Sequence, residues 1–504
     1  MNKQVKFGAI ISYVLILLNA TYGLFLTPFI VGQLGDSSYG VYKTISALTA
    51  SFMVLDSGVG STIMRYVAKY RADKEEKKIP NFLFMSGIQV LIICALILTV
   101  TVSAYFMLDN IYGTSLTSAE LSEAKIIYVF LALGMIAHML ENFINGIISG
   151  YNRFVFANGS RVIRLIVRIL AIILFLSVFK NSVTLVMIDL IVTVMFIFVE
   201  ILYILKKIKV KIKYSYWDNL IFKESFIYIL LMFLGTLIDQ VNGNISNVLT
   251  GAFIGSAAVT VYSMALLIFN MYMNLSTAIS GVMLPTVTMS LKDDDEKYTN
   301  TLGLVVQTGR IQFLLLGAVA VGFAIFGIPF INVWLGEGYS DVYILTLIML
   351  FPALLELCIN VCLSILRAKN KIGFRTFVVA VSAAINLLFI VIAMPYIGYF
   401  AAAIGTAFSF LFGSVIIMGI YYYKKFKINV LKLYTRIFKG ILWCILLSGA
   451  SSYFAAMIFD SSMYKLIFGI ATFCAVYAVT LLVFGLNKDE KNIILSKIRR
   501  RKND

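Results

Sequence analysis

His138-Met-Leu-Glu141-Asn142-Phe-Ile144-Asn145-Gly146-Ile-Ile-Ser149 places a run of polar groups inside an otherwise apolar segment of membrane-crossing length. At roughly 100° per residue, its Glu, Asn and Ser fall within about a quarter of a helical turn of one another. The stretch is a polar stripe on an apolar helix. The pattern returns as Glu356-Leu-Cys-Ile359-Asn360-Val-Cys-Leu-Ser364, with Glu141, Ile144, Asn145 and Ser149 each found again 215 residues later. An ionisable group at membrane depth belongs in a bundle interior or a water-filled cavity. Two such stripes, one in each half, predict a cavity lined from both sides.

Of 504 residues, 61% are hydrophobic and 13% charged, which excludes an ordinary soluble domain. Apolar windows long enough to cross a hydrocarbon core of about 30 Å recur from end to end. Fourteen are distinguishable, from 8–31 and 42–66 to 437–459 and 464–486. The first is too long, and too interrupted by Asn19, Gly23 and Pro28, for a cleaved signal peptide, and is expected to remain a helix. A net charge of +17 raises the question of nucleic acid or an acidic partner. With the N-terminus inside, however, 38 of the 42 Lys and Arg fall in cytoplasmic segments, and only Lys43, Lys125, Lys180 and Lys465 fall outside. That ratio follows the positive-inside rule, so the charge reports topology with both termini cytoplasmic and gives no reason to expect nucleic acid.

A second repeat supports the first. The turn Gly35-Asp-Ser-Ser-Tyr39-Gly40-Val41-Tyr42 matches Gly255 to Tyr262, with Gly35, Val41 and Tyr42 answered by Gly255, Val261 and Tyr262 at an offset of 220. Both places pair span n with span n+6. The fold class expected is therefore all-α, a polytopic membrane protein of about fourteen transmembrane helices. Two six-helix lobes related by a pseudo-twofold axis are expected over 1–215 and 216–430, with two further helices and a basic cytoplasmic tail over 431–504. Such an arrangement puts a transport site between the halves.

Candidate functional residues follow. Span 2 carries Asp56-Ser-Gly58-Val-Gly60, with Arg65 at its cytoplasmic end; the glycines mark a kink or a close helix contact, and Asp56 and Arg65 project from roughly opposite faces. Arg153, Arg161, Arg164 and Arg168 run from the loop after span 4 into span 5. They either anchor the cytoplasmic boundary or form a phosphate clamp, since guanidinium presents paired donors to phosphate oxygens; Arg168 lies deepest. Asp189 and Glu200 share a face of span 6, Asp239, Asn244 and Asn247 lie along a stripe of span 7, and Ser263, Asn270 and Asn274 mark span 8. Together they favour a hydrated cavity over ordinary polar helix contacts. The acidic loop Lys292-Asp-Asp-Asp-Glu-Lys297 lacks the spaced oxygens of a calcium hand and reads as solvated. Cys94, Cys358, Cys362, Cys444 and Cys474 all sit within apolar spans and suggest packing.

Three stretches resemble the polysaccharide-export branch of the multidrug/oligosaccharidyl-lipid/polysaccharide flippase superfamily, the O-antigen and capsule repeat-unit flippases. They are Pro28 to Tyr42 with Leu34-Gly35 and Tyr39-Gly40, Asp56 to Gly60 running to Arg65, and Arg367-Ala-Lys369-Asn-Lys371 followed by Ala384-Ile-Asn386 and Pro395 to Ala403. The resemblance implies a flippase of a bacterial cytoplasmic membrane that carries a polyprenyl-pyrophosphate-linked glycan from the inner to the outer leaflet by alternating access. Membrane lipids, and the polysaccharide polymerase and export machinery, are the implied partners, and no cofactor, metal or catalytic residue is implied. On this resemblance the pyrophosphate and sugar cavity would draw on Arg65, Arg153, Arg168, Arg310 and Arg367, with Asn145, Asn360, Asn244 and Asn274. The acids Glu141, Asp239, Glu356 and Asp56 depart from a purely cationic cavity. They can bind a coupling proton or sodium, hydrogen-bond sugar hydroxyls, or neutralise arginines.

The rival transporters are a lipid-linked peptidoglycan precursor flippase and a cation-coupled drug antiporter, which would favour acids and aromatics in its cavity. A membrane glycosyltransferase or polymerase fits less well: such enzymes build their sites on large extramembrane segments, and the longest stretch between spans is about 25 residues. His138 is the only histidine, and no Gly-rich phosphate loop with Lys-Ser/Thr appears. An enzyme is not expected.

Overall fold

The computed structural model describes residues 3–52, 58–290, 299–368 and 373–487. Asp56 and the acidic loop Lys292–Lys297 lie outside them. All regular structure among these residues is helical. The first eight helices are α1 (Lys3–Phe52), α2 (Val59–Ala72), α3 (Ile79–Tyr112), α4 (Ser118–Gly150), α5 (Phe154–Leu176), α6 (Ser182–Tyr203), α7 (Asn219–Phe253) and α8 (Ser256–Ser290). They continue as α9 (Thr299–Gln312), α10 (Ala318–Trp334), α11 (Ser340–Ile359), α12 (Cys362–Ala368), α13 (Gly373–Ile397) and α14 (Phe400–Phe408). The last are α15 (Met418–Phe426), α16 (Val430–Phe438), α17 (Ile441–Ala456) and α18 (Ser462–Thr480).

Among the described residues, nine helical stretches are long and apolar enough to cross a membrane, with Ile441–Ala456 a shorter apolar helix. The remaining expected windows fall on the two limbs of α1, the second continuing into α2, and on α5 and α7. The three arginines of α5 lower its apolarity. Leu96, Leu98, Val102 and Phe106 on α3 are exposed, as helices surrounded by lipid require. The protein is a multi-pass, all-α membrane protein.

Local chemistry explains the helix boundaries. Thr117 caps α4 reciprocally with Glu120, the Thr117 N–H donating to Glu120 at 2.8 Å and the Glu120 N–H to Thr117 Oγ1 at 3.3 Å. The side chains of Asn181 and Asp218 cap α6 and α7. The glycine-rich turns expected at Gly35 and Gly255 are present: α1 breaks at Gly35 (φ 75°, ψ 168°), and Gly255 joins α7 to α8 at φ 117°. Both conformations are ones a side chain disfavours.

The chain divides into two compact units, Met1–Ser263 and Met264–Asp504. In the first, α2 crosses α4 on small residues. A Cβ on Gly146 would lie 2.7 Å from the Gly60 carbonyl oxygen, and one on Gly150 would lie 2.7 Å from Val67. Glycine is therefore required for this approach. Ile63, Val67, Leu83, Met139 and Ile147 form the core around this crossing. A second core joins Val41 and Ile45 of α1 to Leu108, Tyr112, Ile127 and Tyr128. In the second unit α10 packs on α11 and α18, and α17 packs on α18.

A polar seam along α5 as the candidate functional site

α5 organises the site. Arg161, Arg164 and Arg168 follow a three-then-four spacing that puts them on one helical face, while Ile163, Ile166, Leu170, Ile173 and Leu174 are exposed on the other. The arginine face meets α1, α4 and α6, and the partners form two tiers.

In the first tier Arg164 forms an ion pair with Glu141 of α4. His138 Nδ1 lies 3.2 Å from the same Glu141 carboxylate. Asn145, one turn further along α4, donates from Nδ2 to Glu200 of α6 at 3.1 Å, and the Ser160 hydroxyl donates to the other Glu200 oxygen at 2.9 Å. Glu141, Asn145 and Glu200 are each at most 5% exposed. The stripe that opened the sequence thus does two jobs. Glu141 and Asn145 face the carboxylate and guanidinium chemistry of α5 and α6, while Gly146 and Gly150 let α2 approach.

The second tier lies one turn along α5, about 6 Å away. Arg168 grips Asp189 of α6 with two nitrogens, Nη2 donating to Oδ2 at 2.7 Å, and its guanidinium carbon stands 5.2 Å from the centre of the Tyr22 ring. Lys43, on the second limb of α1, holds its ammonium 5.4 Å from the Tyr39 ring and 5.8 Å from the Tyr42 ring. Tyr42 lies within electrostatic range of Asp189, Lys43, Arg168 and Tyr22, so these contacts make one cluster. Two cations face one carboxylate there, and Lys43 forms no ion pair among the described residues. The local balance is positive and suits an anion.

The other expected residues are placed as follows. Arg65 and Arg153 are exposed; the Arg65 guanidinium lies over Tyr228 at 4.8 Å, and Arg153 precedes the first turn of α5 without a side-chain capping bond. Asn244 is half-buried on α7 in the first unit, and Asn274 is exposed on α8 in the second. Arg310, expected at a cavity mouth, is instead 2% exposed. It donates to the backbone carbonyls of Arg436 at 3.3 Å, Lys439 at 2.9 Å and Gly485 at 2.8 Å. Glu356 is half-buried on α11, within electrostatic range of Arg375, and Asn360 sits in the break between α11 and α12. The side chains of Asp239 and Arg367 fall outside those the structure describes. Among the described residues no three His, Cys, Asp or Glu side chains gather as metal ligands would.

Of the six ionisable members of the seam, Lys43 alone carries no candidate role in the sequence. Arg164, Asp189 and Glu200 were visible as charges sharing helical faces, but spacing alone does not pair them. Lys43 was counted only as an outer-side charge. Its signal was the neighbouring Tyr39 and Tyr42, which lie on consecutive turns near it.

The architecture is that of a multi-pass helical membrane protein with ionisable groups held inside its first unit. A family described as polysaccharide biosynthesis protein matches residues 6–291, and the chain belongs to this family. A Salmonella typhi protein described as an O-antigen transporter is 25% identical over 122 residues, which cover 22% of this chain and 27% of that relative. The chain thus matches about a quarter of that relative's length. Among solved structures, the lipid II flippase MurJ in an inward closed conformation superposes with a TM-score of 0.70 at 16% identity, covering 94% of this chain and 98% of that one. An inward-facing multidrug-resistance MATE transporter of the MOP superfamily gives 0.63 at 16% identity over 86% and 98%. These likenesses show that the chain shares the fold of those two proteins.

Proposed function

We propose that this protein is a flippase of a bacterial cytoplasmic membrane, with both termini cytoplasmic, which moves polyprenyl-pyrophosphate-linked oligosaccharide repeat units from the inner to the outer leaflet. The family membership supports a role in polysaccharide biosynthesis. The O-antigen transporter and the lipid II flippase named above support a lipid-linked glycan as cargo.

The observation that carries the reading is the two-tier seam. Six ionisable side chains, Lys43, Glu141, Arg164, Arg168, Asp189 and Glu200, are turned inward from helices whose other faces are apolar. A pyrophosphate and its sugars cross hydrocarbon slowly because each charged or polar group must lose its water. A seam of charged and amide groups replaces that water. On this reading Lys43 and Arg168 meet the pyrophosphate, with Arg65 and Arg153 as the outlying cations. Asn145, Asn244, Asn274 and Asn360 serve sugar hydroxyls, and the acids Glu141, Glu356 and Asp239 balance charge or take a coupling ion. The cargo is passed on to polymerase and export machinery.

The test is deletion in the native host, with surface polysaccharide and inner-leaflet lipid-linked oligosaccharide both quantified. Loss of surface polysaccharide with complete repeat units trapped inside is the expected result. Unchanged polysaccharide with altered sensitivity to cationic drugs would overturn it in favour of an antiporter.

A further inference from the structure

The chain from Leu357 to Phe459 contains no Asp or Glu, yet Lys424, Lys425, Lys427, Lys432, Arg436 and Lys439 crowd together within it. All six are exposed, and none joins an ion pair among the described residues. They lie on and beside α16, a nine-residue helix. At about 1.5 Å per residue it is far too short to span a bilayer, and it sits between two apolar helical stretches, Phe400–Phe426 and Ile441–Ala456. Left-handed turns at Lys427 (φ 56°) and Gly440 (φ 83°) bring the chain into it and out again.

α16 is held firmly. Val430, Leu433 and Ile437 are buried on one face. The Tyr434 hydroxyl donates to the Leu355 carbonyl at 2.9 Å, and the Asn429 side chain caps the start by accepting from the Lys432 N–H at 3.1 Å. Arg310 fastens the far end through the carbonyls of Arg436 and Lys439. The outward face presents Lys432, Thr435 and Arg436 together with Leu431, which is 75% exposed, and Trp443 stands 68% exposed at the start of α17. Topology alone needs only positive charge in a loop. A clamped amphipathic helix with cations and an apolar side chain on its free face has the chemistry of an interfacial lipid contact.

We propose that α16 and the Lys424–Lys427 turn form a seat for anionic phospholipid. Lys424, Lys425, Lys427, Lys432, Arg436 and Lys439 take the head groups, and the acyl chains lie along Leu431 and Trp443. The inference is independent of the cargo.

Trp443 supplies the readout. The full chain carrying Trp217→Phe and Trp334→Phe is reconstituted in phosphatidylcholine bilayers containing rising fractions of brominated phosphatidylglycerol or, in parallel, brominated phosphatidylcholine. Quenching by the anionic lipid is expected at a much lower mole fraction than by the neutral one. With each basic residue worth roughly a fivefold gain near an anionic surface, K432Q and K439Q each weaken the preference about fivefold. K432Q/R436Q/K439Q weakens it roughly a hundredfold, three such factors together, while K432R/K439R retains it. Equal quenching by the two lipids overturns the proposal, as does an undiminished preference in the glutamine variants. Loss of the preference on adding inorganic phosphate alone also overturns it, by pointing to a site for free anions.

Discussion

Replacing Asp189 with Asn removes one negative charge from the second tier while keeping the side chain's shape, and it separates two roles for Arg168. If Arg168 exists to satisfy Asp189, the variant loses a charge-assisted contact on a half-buried pair, about 1.5–3 kcal/mol, and nothing else changes. If Arg168 is an anion clamp masked by Asp189, the variant does more. The cluster of Lys43, Arg168 and Asp189 passes from two cations and one carboxylate to two uncompensated cations. One extra unit of charge about 6 Å from a bound anion, at an effective dielectric constant near 20, amounts to about 3 kcal/mol, or roughly a hundredfold in affinity as an upper bound. Inorganic pyrophosphate is the probe, titrated calorimetrically into detergent-purified protein across a salt series, since an exposed charge effect weakens as salt rises. Asp189→Asn is expected to bind it tighter and Arg168→Ala to bind it more weakly, although both variants are less stable than the parent. Folded Asp189→Asn protein with the parent's pyrophosphate affinity would refute the clamp and leave Arg168 a structural partner.

Two further outcomes follow from the packing. Gly146→Val is expected to abolish folded, monodisperse protein in size-exclusion chromatography, because its Cβ would stand 2.7 Å from the Gly60 carbonyl and 3.0 Å from Ile63, whereas Gly134→Ala on the same helix, with nothing within 4 Å, should leave the elution profile unchanged. Arg310→Leu leaves buried carbonyls at three places without their donor and is expected to cost about 3–5 kcal/mol, read as a lowered thermal midpoint, with pyrophosphate affinity unaltered.

The sequence shows much of the fold because membrane helices announce themselves. Hydrocarbon tolerates only helices and closed barrels across its thickness, and uninterrupted apolar windows of about 20 residues suit helices, so the windows and the glycine turns at Gly35 and Gly255 reappear in the long helices, whereas the nine-residue α16 falls largely between two windows. The stripe at Glu141 and Asn145 was equally visible, since a polar run on an apolar helix has few places to go. What lies opposite a stripe was not visible. Helical spacing shows that Arg164 and Arg168 share a face; it says nothing about α6 bringing Asp189 to one of them, or α4 bringing Glu141 to the other.

Arg310 shows why depth and charge alone mislead. A guanidinium carries five donors and no acceptor, so it is satisfied by phosphate, by a carboxylate, or by the open carbonyls at helix ends. Hydropathy places all three cases at the same depth. The Arg310 partners are 126 to 175 residues away in the chain, beyond the reach of any local pattern. A cation inside a membrane protein is therefore a better candidate for a transported anion when its protein partners leave charge unbalanced than when it is merely deep. By that criterion Lys43, over Tyr39 and Tyr42 beside the Arg168–Asp189 pair, outranks Arg310, although the sequence favoured the arginine.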